Sequence, residues 1–346
     1  MNWISLTKKL TFVLLLLSTH HFTFAKEEQD IKELIFHHIS DSHEWHLATI
    51  DEAHITIPLP IILYTENGLD VFMSNAFHHA TTVEVEHEGE EVEALKLTRD
   101  KATYYMTHDK IFLEEHEALL LDFSITKNVA SMLISVLLLA ITFTYIGSQY
   151  RKTGVNTAPK GVQSFFEPII TFVRDDIAKE IIGPKYEKYV PYLLTVFFFI
   201  WFNNMLGLMP GAANVTGNIA VTFTLAIFTW IITTVTANKN YWGHIFAPPG
   251  VPAWLLPIMV PVELIGIFTK PFSLMIRLFA NITAGHIIIL SLIALIFIFD
   301  SVFVAAASVP FAIIMNCLEL FVAILQAYVF TLLTAMYFGS AIEEHH

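Results

Sequence analysis

Residues 261–290, PVELIGIFTKPFSLMIRLFANITAGHIIIL, lie inside an apolar stretch that runs from 251 to 299. A second apolar stretch of 37 residues follows at 302–338. At 1.5 Å per residue, a helix of that length measures about 55 Å, whereas the hydrocarbon core of a bilayer is about 30 Å thick. The two stretches therefore predict a pair of long antiparallel membrane helices that tilt, extend beyond the core or break.

Three shorter apolar runs lie upstream of this pair. The composition agrees with a membrane protein, because 55% of the 346 residues are hydrophobic and only 15% are charged. Soluble domains average about 25% charged residues. We therefore predict an all-α polytopic membrane domain at 126–346, embedded in a lipid bilayer, with spans at about 129–147, 190–209, 215–236, 255–299 and 302–338.

The first 25 residues have the layout of a secretory signal peptide. Lys8 and Lys9 precede a short apolar run at 10–17, and the small residue Ala25 precedes a charged segment. The apolar run is too short to cross a bilayer, which requires about 20 residues. The alternative is an uncleaved first helix. Cleavage would leave residue 26 outside the cytoplasm.

Residues 26–125 form an acidic block. This block contains 22 acidic and 6 basic residues, a formal charge of −16, whereas the whole chain carries −13. Such acidity argues against a nucleic-acid partner. Ile55, Ile57, Leu59 and Ile61 recur at every second position, which is typical of strands. We therefore predict a small, β-rich extracytoplasmic domain ahead of the membrane helices.

The acidic block also contains ten histidines, among them His37, His38, His43 and His46. Such a cluster could bind a metal ion, but no His-x-x-x-His pair occurs on a clear helix, which favours a solvated surface instead. The only cysteine, Cys317, excludes an intrachain disulfide and a thiolate metal cluster. We predict neither a metal site nor a cofactor.

The orientation follows from the basic residues in the loops. The segment 149–189 carries seven Lys or Arg residues, whereas 210–214 carries none. By the positive-inside rule, 149–189 is cytoplasmic, so the first span runs inward and the C-terminus lies in the cytoplasm. Within that segment, 162–182 resembles an amphipathic helix on the cytoplasmic membrane surface.

The last two apolar stretches contain ionisable side chains at membrane depth. A charged group there costs at least about 2.5–3.5 kcal/mol on insertion scales, so each is a candidate for function. The ionisable residues are Glu263, Lys270, Arg277, His286 and Glu319, and their polar companions include Asn281, Asn316 and Gln326.

Helical spacing sorts these residues into two patches. At 100° per residue, one polar stripe contains Glu263, Lys270, Ser273, Arg277 and Asn281. His286 falls about 180° away from Arg277, and Glu319 shares a face with Gln326. If Gln326 is level with Arg277, His286 and Glu319 can meet further out. The pattern predicts two offset polar patches separated by Arg277.

The chemistry of these side chains suits an interrupted proton path. Histidine exchanges protons near neutral pH, and a nearby glutamate tunes it. Arg277 stays charged and cannot relay protons, but it attracts carboxylates. The chain offers no obvious mobile carboxylate of its own, so we expect a partner to supply it.

Four motifs resemble subunit a of F-type ATP synthase. The most specific is KPFSLMIRLFANITAGH at 270–286, which resembles the signature of that family. LQAYVFTLLT at 325–334 resembles its last helix, and NNMLGLMP at 203–210 and NIAVT at 218–222 resemble its middle spans. The resemblance covers roughly 120–346. The long N-terminal block departs from the usual short N-terminus and is similar to the longer bacterial forms.

The resemblance implies a stator subunit in the inner membrane that lies against a ring of c subunits, together with b subunits and the F1 sector. Arg277 matches the essential arginine that faces the ring carboxylate, with Asn281 and Gln326 as polar neighbours. Glu263 matches a position in the cytoplasmic half-channel. His286 and Glu319 match the outer pair, in the order found in mitochondrial members. The chain has no G-x-x-x-x-G-K-[ST] loop, so we expect no nucleotide site in it.

Two other functions remain open from the sequence. A stand-alone cation channel or proton-coupled transporter would need an exchangeable carboxylate of its own. A metal-binding receptor would use the histidines of 26–125. The choice between proton and sodium depends on the ring carboxylate, which this chain does not contain.

Overall fold

The computed structural model describes residues 40–50, 53–87, 90–107, 109–113, 120–154, 158–209, 212–247, 252, 254–299 and 301–343. The predicted signal peptide and the histidines His37 and His38 lie outside the described residues. The described chain has two parts, a sheet-rich N-terminal region followed by helices. This confirms the predicted class, an all-α polytopic membrane protein preceded by a small β-rich region.

The N-terminal region contains antiparallel strands in three groups. A hairpin joins β1 and β2, a three-stranded sheet has the order β4-β3-β9, and a four-stranded meander has the order β5-β6-β7-β8. The strands are β1 Glu44–Ile50, β2 Ala53–Pro58, β3 Pro60–Thr65, β4 Gly68–Met73, β5 Thr81–His87, β6 Glu90–Thr98, β7 Thr103–Thr107, β8 Lys110–Leu113 and β9 Leu120–Asp122.

Two of the sheets share one apolar core. Ile61 and Leu63 of β3 are fully buried against Phe72 of β4, Tyr104 of β7 and Phe77 of a 3-10 turn. Strands are present at 55–61 as predicted, but Pro58 ends β2 and Pro60 begins β3, so one predicted run becomes two strands. Leu59 and Ile61 are buried, whereas Ile55 and Ile57 are exposed.

The other face of the three-stranded sheet is also apolar, and we call it the apolar ladder. Its register gives three rows of three residues across the strands, because the amides of Phe123 and Ile125 bond to Ile62 and Pro60 and so extend the pairing beyond β9. Several members are strongly exposed, Phe123 at 63%. The rows are Leu69–Tyr64–Leu121, Val71–Ile62–Phe123 and Met73–Pro60–Ile125.

The helical part contains seven α-helices of eight or more residues among the described residues. They are α1 Lys127–Thr153, α2 Val162–Thr171, α3 Val190–Gly207, α4 Ile219–Thr236, α5 Lys239–Phe246, α6 Leu256–Phe299 and α7 Val302–Ile342. Five of these, α1, α3, α4, α6 and α7, are long and apolar enough to cross a membrane. At 44 residues, α6 is about 66 Å long, and it contains Pro261 and Pro271.

The predicted spans differ from the helices mainly around the turn between α3 and α4. The prediction placed 208–209 and 215–218 inside helices, but α3 ends at Gly207 and a separate 3-10 turn occupies Val215–Gly217. The side chain of Asn218 then accepts a hydrogen bond from Ala220 N and caps α4. Average hydropathy over a span does not show where such a capped helix begins.

The segment at 162–182 is helical throughout. A π-helix at Phe172–Lys179 follows α2, and Glu180–Ile182 adds one further α-helical turn. Val173 and Ile177 are buried, whereas Arg174 and Lys179 are exposed, so the helix is amphipathic as the sequence indicates.

Asp41 connects the sheet-rich region to the helices. Its carboxylate accepts hydrogen bonds from the Thr126 hydroxyl at 2.9 Å and from Asn128 N at 3.1 Å, at the start of α1. It also accepts one from Asn218, the cap of α4, at 3.5 Å. A carboxylate is stabilised at the amino-terminal ends of helices, where backbone N–H groups lack partners. Asp41 therefore fixes both helices relative to the strands.

Candidate functional site

The last two helices, α6 and α7, pack as an antiparallel pair with a defined register. The Asn281 side-chain amide donates to the Gln326 carbonyl oxygen at 2.9 Å. Eleven residues away on each helix, the Lys270 ammonium lies 5.5 Å from the centre of the Tyr337 ring. The two contacts agree in register, since antiparallel helices move by equal numbers of residues in opposite directions.

This register differs from the alignment assumed in the sequence analysis. Gln326 lies opposite Asn281, which is one helical turn beyond Arg277, and is therefore not level with Arg277. Hydropathy correctly placed the end of α6 at 299 and the start of α7 at 302, but it does not show which residues lie opposite each other when the helices pack. By the same register, Glu319 remains within about one turn of His286 along the helix axis.

Glu319 occupies a buried position on α7. Its side chain packs on Gly285, the residue before His286, and only 5% of the residue is exposed. Neither of its carboxyl oxygens has a hydrogen-bond partner among the described residues. A buried carboxyl without partners is costly, so its presence at membrane depth calls for a functional explanation.

The predicted polar stripe on α6 is only partly brought together. Glu263, Lys270 and Arg277 are half-buried, whereas Ser273 and Asn281 are exposed. Glu263 lies close enough to Lys270 to act on it electrostatically. The stripe therefore runs along the border between the helix packing and the outer surface of the bundle. Asn316, on α7, is exposed.

Two tyrosines beside the stripe were missed by the sequence analysis. Tyr337 of α7 and Tyr241 of α5 both approach Lys270, with its ammonium 5.8 Å from the centre of the Tyr241 ring. Burial, and then the Glu263 carboxylate, raise the pKa of Tyr241, which keeps this phenol neutral. Spacing along the two helices could have indicated Tyr337, because it lies eleven residues after Gln326 just as Lys270 lies eleven residues before Asn281.

A second polar group links α3 to α7 near Glu319. The Asn204 amide donates to the carbonyl oxygen of Ala323, one turn from Glu319, at 3.2 Å. The Thr216 hydroxyl donates to Asn204 Oδ1 at 2.5 Å. All three are buried, and their hydrogen bonds hold the middle spans against α7. The sequence analysis included Asn204 only as part of a motif.

The described histidines of the sheet-rich region do not cluster. Among the residues that the structure describes, no group of three His, Cys, Asp or Glu side chains could hold a metal ion. His43 is buried and its Nε2 lies 3.5 Å from Asp122. Burial alone would raise the pKa of Asp122, but the interaction with His43 and the hydrogen bond from Ser124 outweigh it and hold that pKa below its usual value.

Five candidate membrane helices, the last two with ionisable side chains along them, define a polytopic membrane protein with a polar track at membrane depth. The family model described as ATP synthase A chain matches residues 129–339. The chain belongs to this family, and the resemblance noted in the sequence is confirmed. A second family model, described as a domain of unknown function, matches residues 34–126.

Curated relatives agree with this family. The chain is 51% identical to an ATP synthase subunit a of Chlorobium phaeobacteroides over 232 residues, which is 65% of this chain and 67% of the relative. It is 49% identical to an ATP synthase subunit a 2 of Chlorobaculum tepidum over 249 residues, 70% of each chain. It is 47% identical to an ATP synthase subunit a of Myxococcus xanthus over 233 residues, 65% of this chain and 75% of the relative.

Proposed function

We propose that the chain is the proton-translocating a subunit of the Fo sector of an ATP synthase, with two offset half-channels against a ring of c subunits. The observation that carries this proposal is Glu319, a buried carboxyl at membrane depth whose oxygens have no hydrogen-bond partner among the described residues. Such a group can accept a proton and pass it on. The polar stripe on α6 provides the inner half-channel, which we call the inner branch of the proton path; the outer branch contains Glu319 and His286.

In the proposed path, a proton enters from the outside past Glu319 and His286. It neutralises a carboxylate of the c ring, which then rotates away through the bilayer. After nearly a full turn the carboxyl returns to Arg277, loses its proton and pairs with the guanidinium. The proton leaves along the stripe that contains Ser273 and Glu263. Asn281 and Gln326, which bond to each other, position the two helices beside Arg277.

Arg277 separates the two branches because its charge is permanent. A guanidinium does not lose its proton at any physiological pH, so it cannot relay protons between the outer and inner branches. It instead attracts the ionised ring carboxylate. Protons therefore cross only when the ring turns. Each charge moved through 100 mV supplies about 2.3 kcal/mol, which the ring converts into torque.

The proposed function implies where the protein lies and which subunits it contacts. The protein lies in the bacterial inner membrane, with residues 26–125 outside the cytoplasm and the C-terminus inside. Its partners are the c ring, the b subunits and the F1 sector. Seven basic residues in 149–189 support this orientation, since they mark the cytoplasmic side.

The decisive experiment replaces Arg277 in the intact complex. We expect Arg277→Ala to abolish proton-driven ATP synthesis in inverted vesicles, while the c ring and F1 still copurify with the chain. Leu137→Ala, at a strongly exposed position on α1, is the matched control and should retain synthesis. Normal synthesis by Arg277→Ala would refute the proposal, and proton conduction by the chain reconstituted alone would favour a stand-alone channel.

A further inference from the structure

Lys270 is held between aromatic rings from two different helices. Its ammonium lies 5.8 Å from the centre of the Tyr241 ring on α5 and 5.5 Å from the centre of the Tyr337 ring on α7. Both distances are within the range of cation–π attraction, which strengthens where water is excluded. Lys270 itself is on α6, so this arrangement joins three helices at one cation.

The position of Tyr241 is fixed by Asn238, which caps α5. The Asn238 side-chain oxygen accepts a hydrogen bond from Tyr241 N at 3.0 Å. The Asn238 backbone amide donates to the carbonyl oxygen of Ala341 at 2.9 Å, and its side-chain amide donates to that of Glu343 at 2.9 Å. These bonds anchor α5 to the end of α7. The Tyr241 ring is therefore held against Lys270 by the backbone of the last helix.

The rings restrict a side chain that would otherwise move. Lysine has a long flexible stem and, near a helix end in a membrane, extends toward the interface. Lys270 lines a small pocket together with Thr229 and Thr233 of α4 and Pro271 of α6. Two aromatic faces in this pocket favour one position of the ammonium.

That position is midway along the inner branch. Lys270 is seven residues from Glu263 and seven from Arg277, about 10 Å from each along the helix. Glu263 acts electrostatically on Lys270, and Arg277 acts on Tyr337. The titratable groups near this cation are Glu263 from α6, Tyr241 from α5 and Tyr337 from α7. Arg277 interacts with Tyr337, and α4 contributes threonines and Trp230.

We propose that Tyr241 and Tyr337 are positioning residues that hold the Lys270 ammonium beside the inner proton branch, so that its positive charge stays at one place between Glu263 and Arg277. The inference rests on the proposed function. A proton released at Arg277 moves through water to the Glu263 carboxylate and from there to cytoplasmic water, so Glu263 ends each cycle ionised again. A cation held beside this branch repels a proton on it and so speeds its release to the cytoplasm.

The test measures proton-driven ATP synthesis by the reconstituted intact complex across a range of pH on the cytoplasmic side. Tyr241→Leu and Tyr337→Leu remove a ring, and each should slow synthesis about three- to tenfold. The loss should be greatest at acidic cytoplasmic pH, where proton release is hardest. Tyr241→Phe and Tyr337→Phe keep the ring and should match the parent at every pH.

Lys270 and the rings should act as one unit. Lys270→Gln should reproduce the altered pH profile, and the double variant Lys270→Gln/Tyr241→Leu should be no slower than the slower single variant. Tyr145→Leu, at an exposed position on α1, controls for loss of a membrane tyrosine and should leave the profile unchanged.

Three outcomes would overturn the inference. They are parental synthesis by both Leu variants, equal damage from Phe and Leu, and multiplicative losses in the double variant. Copurification of the c ring and F1 with each variant separates these outcomes from failed assembly. If Arg277→Ala is inactive while the tyrosine variants behave as the parent, the positioning role fails and the proposed function stands. If Arg277→Ala is active, the proposed function itself fails.

Discussion

Gly285 and Glu319 are in close contact between α6 and α7. A β-carbon at residue 285 would collide with Glu319 Oε1, so any residue other than glycine requires the Glu319 side chain to move. Its backbone is ordinary helix, and no positive φ contributes to this requirement. The position of the Glu319 carboxyl therefore depends on the absence of a β-carbon at residue 285.

We expect Gly285→Ala to displace the Glu319 carboxyl and to lower ATP-driven proton pumping by about tenfold, equivalent to ~1.4 kcal/mol and within the range of an overpacked site. Gly266→Ala is the matched control on the same helix, since an added β-carbon there meets nothing within 4 Å. Shortening the carboxylate by Glu319→Asp should partly restore pumping in the double variant. Undiminished pumping by Gly285→Ala would contradict the packing described.

At the scale of elements, the register between α6 and α7 determines which polar groups meet. It places Asn281 against Gln326 and Lys270 against Tyr337, and it leaves Phe330 buried near Arg277. Contacts between residues far apart in the sequence define this register. A shift of one helix along the other by one turn would therefore separate both pairs.

Cysteine cross-linking in native membranes measures this register. With Cys317 replaced by Ser, we expect Asn281→Cys and Gln326→Cys to react efficiently with a short bifunctional thiol reagent, because the parent side chains are 2.9 Å apart. The pair Asn281→Cys and Phe330→Cys, one turn away on α7, should react much less. Equal yields for the two pairs would contradict the register.

The sequence predicted the elements better than their offsets. Apolar length indicated five spans and alternation at 55–61 indicated a β-rich region, because both are local patterns in the sequence. The assumed alignment of Gln326 with Arg277 was wrong by one turn, since it depends on how the two helices pack against each other. Tyr241 was missed because it comes from a short separate helix, and only the fold brings it to Lys270.

At the scale of the whole molecule, Asp41 joins the sheet-rich region to the helices that are apolar enough to cross a membrane. The sheet-rich region has its own core, in which the Tyr104 hydroxyl donates to Asp70 Oδ2 at 3.2 Å. Arg99 pairs with the same carboxylate at 3.0 Å. This core contains titratable groups, so its stability depends on pH independently of the helices.

Burial, and then the Asp70 carboxylate, raise the pKa of Tyr104 from 10.0 to about 12. The neutral phenol is thus favoured by folding, so its stabilisation is complete below pH 10 and is lost as the pH rises toward 12. We expect Tyr104→Phe to be less stable at pH 8 by about 1 kcal/mol, through the lost hydrogen bond, but to lose less stability on going to pH 12. Near-ultraviolet circular dichroism of thermal unfolding at several pH values tests this, and an identical alkaline loss in both proteins would contradict it.

The apolar ladder has a consequence for how the protein behaves outside its membrane. Its three rows end at Ile125, two residues before α1, so detergent that coats α1 reaches the base of an exposed apolar sheet. Exposed apolar faces with unpaired edge strands associate with one another. A fragment cut free of its helices would therefore carry its own aggregation surface, and polar replacements at Val71 and Phe123, which leave the opposite core untouched, are the changes that would keep it soluble.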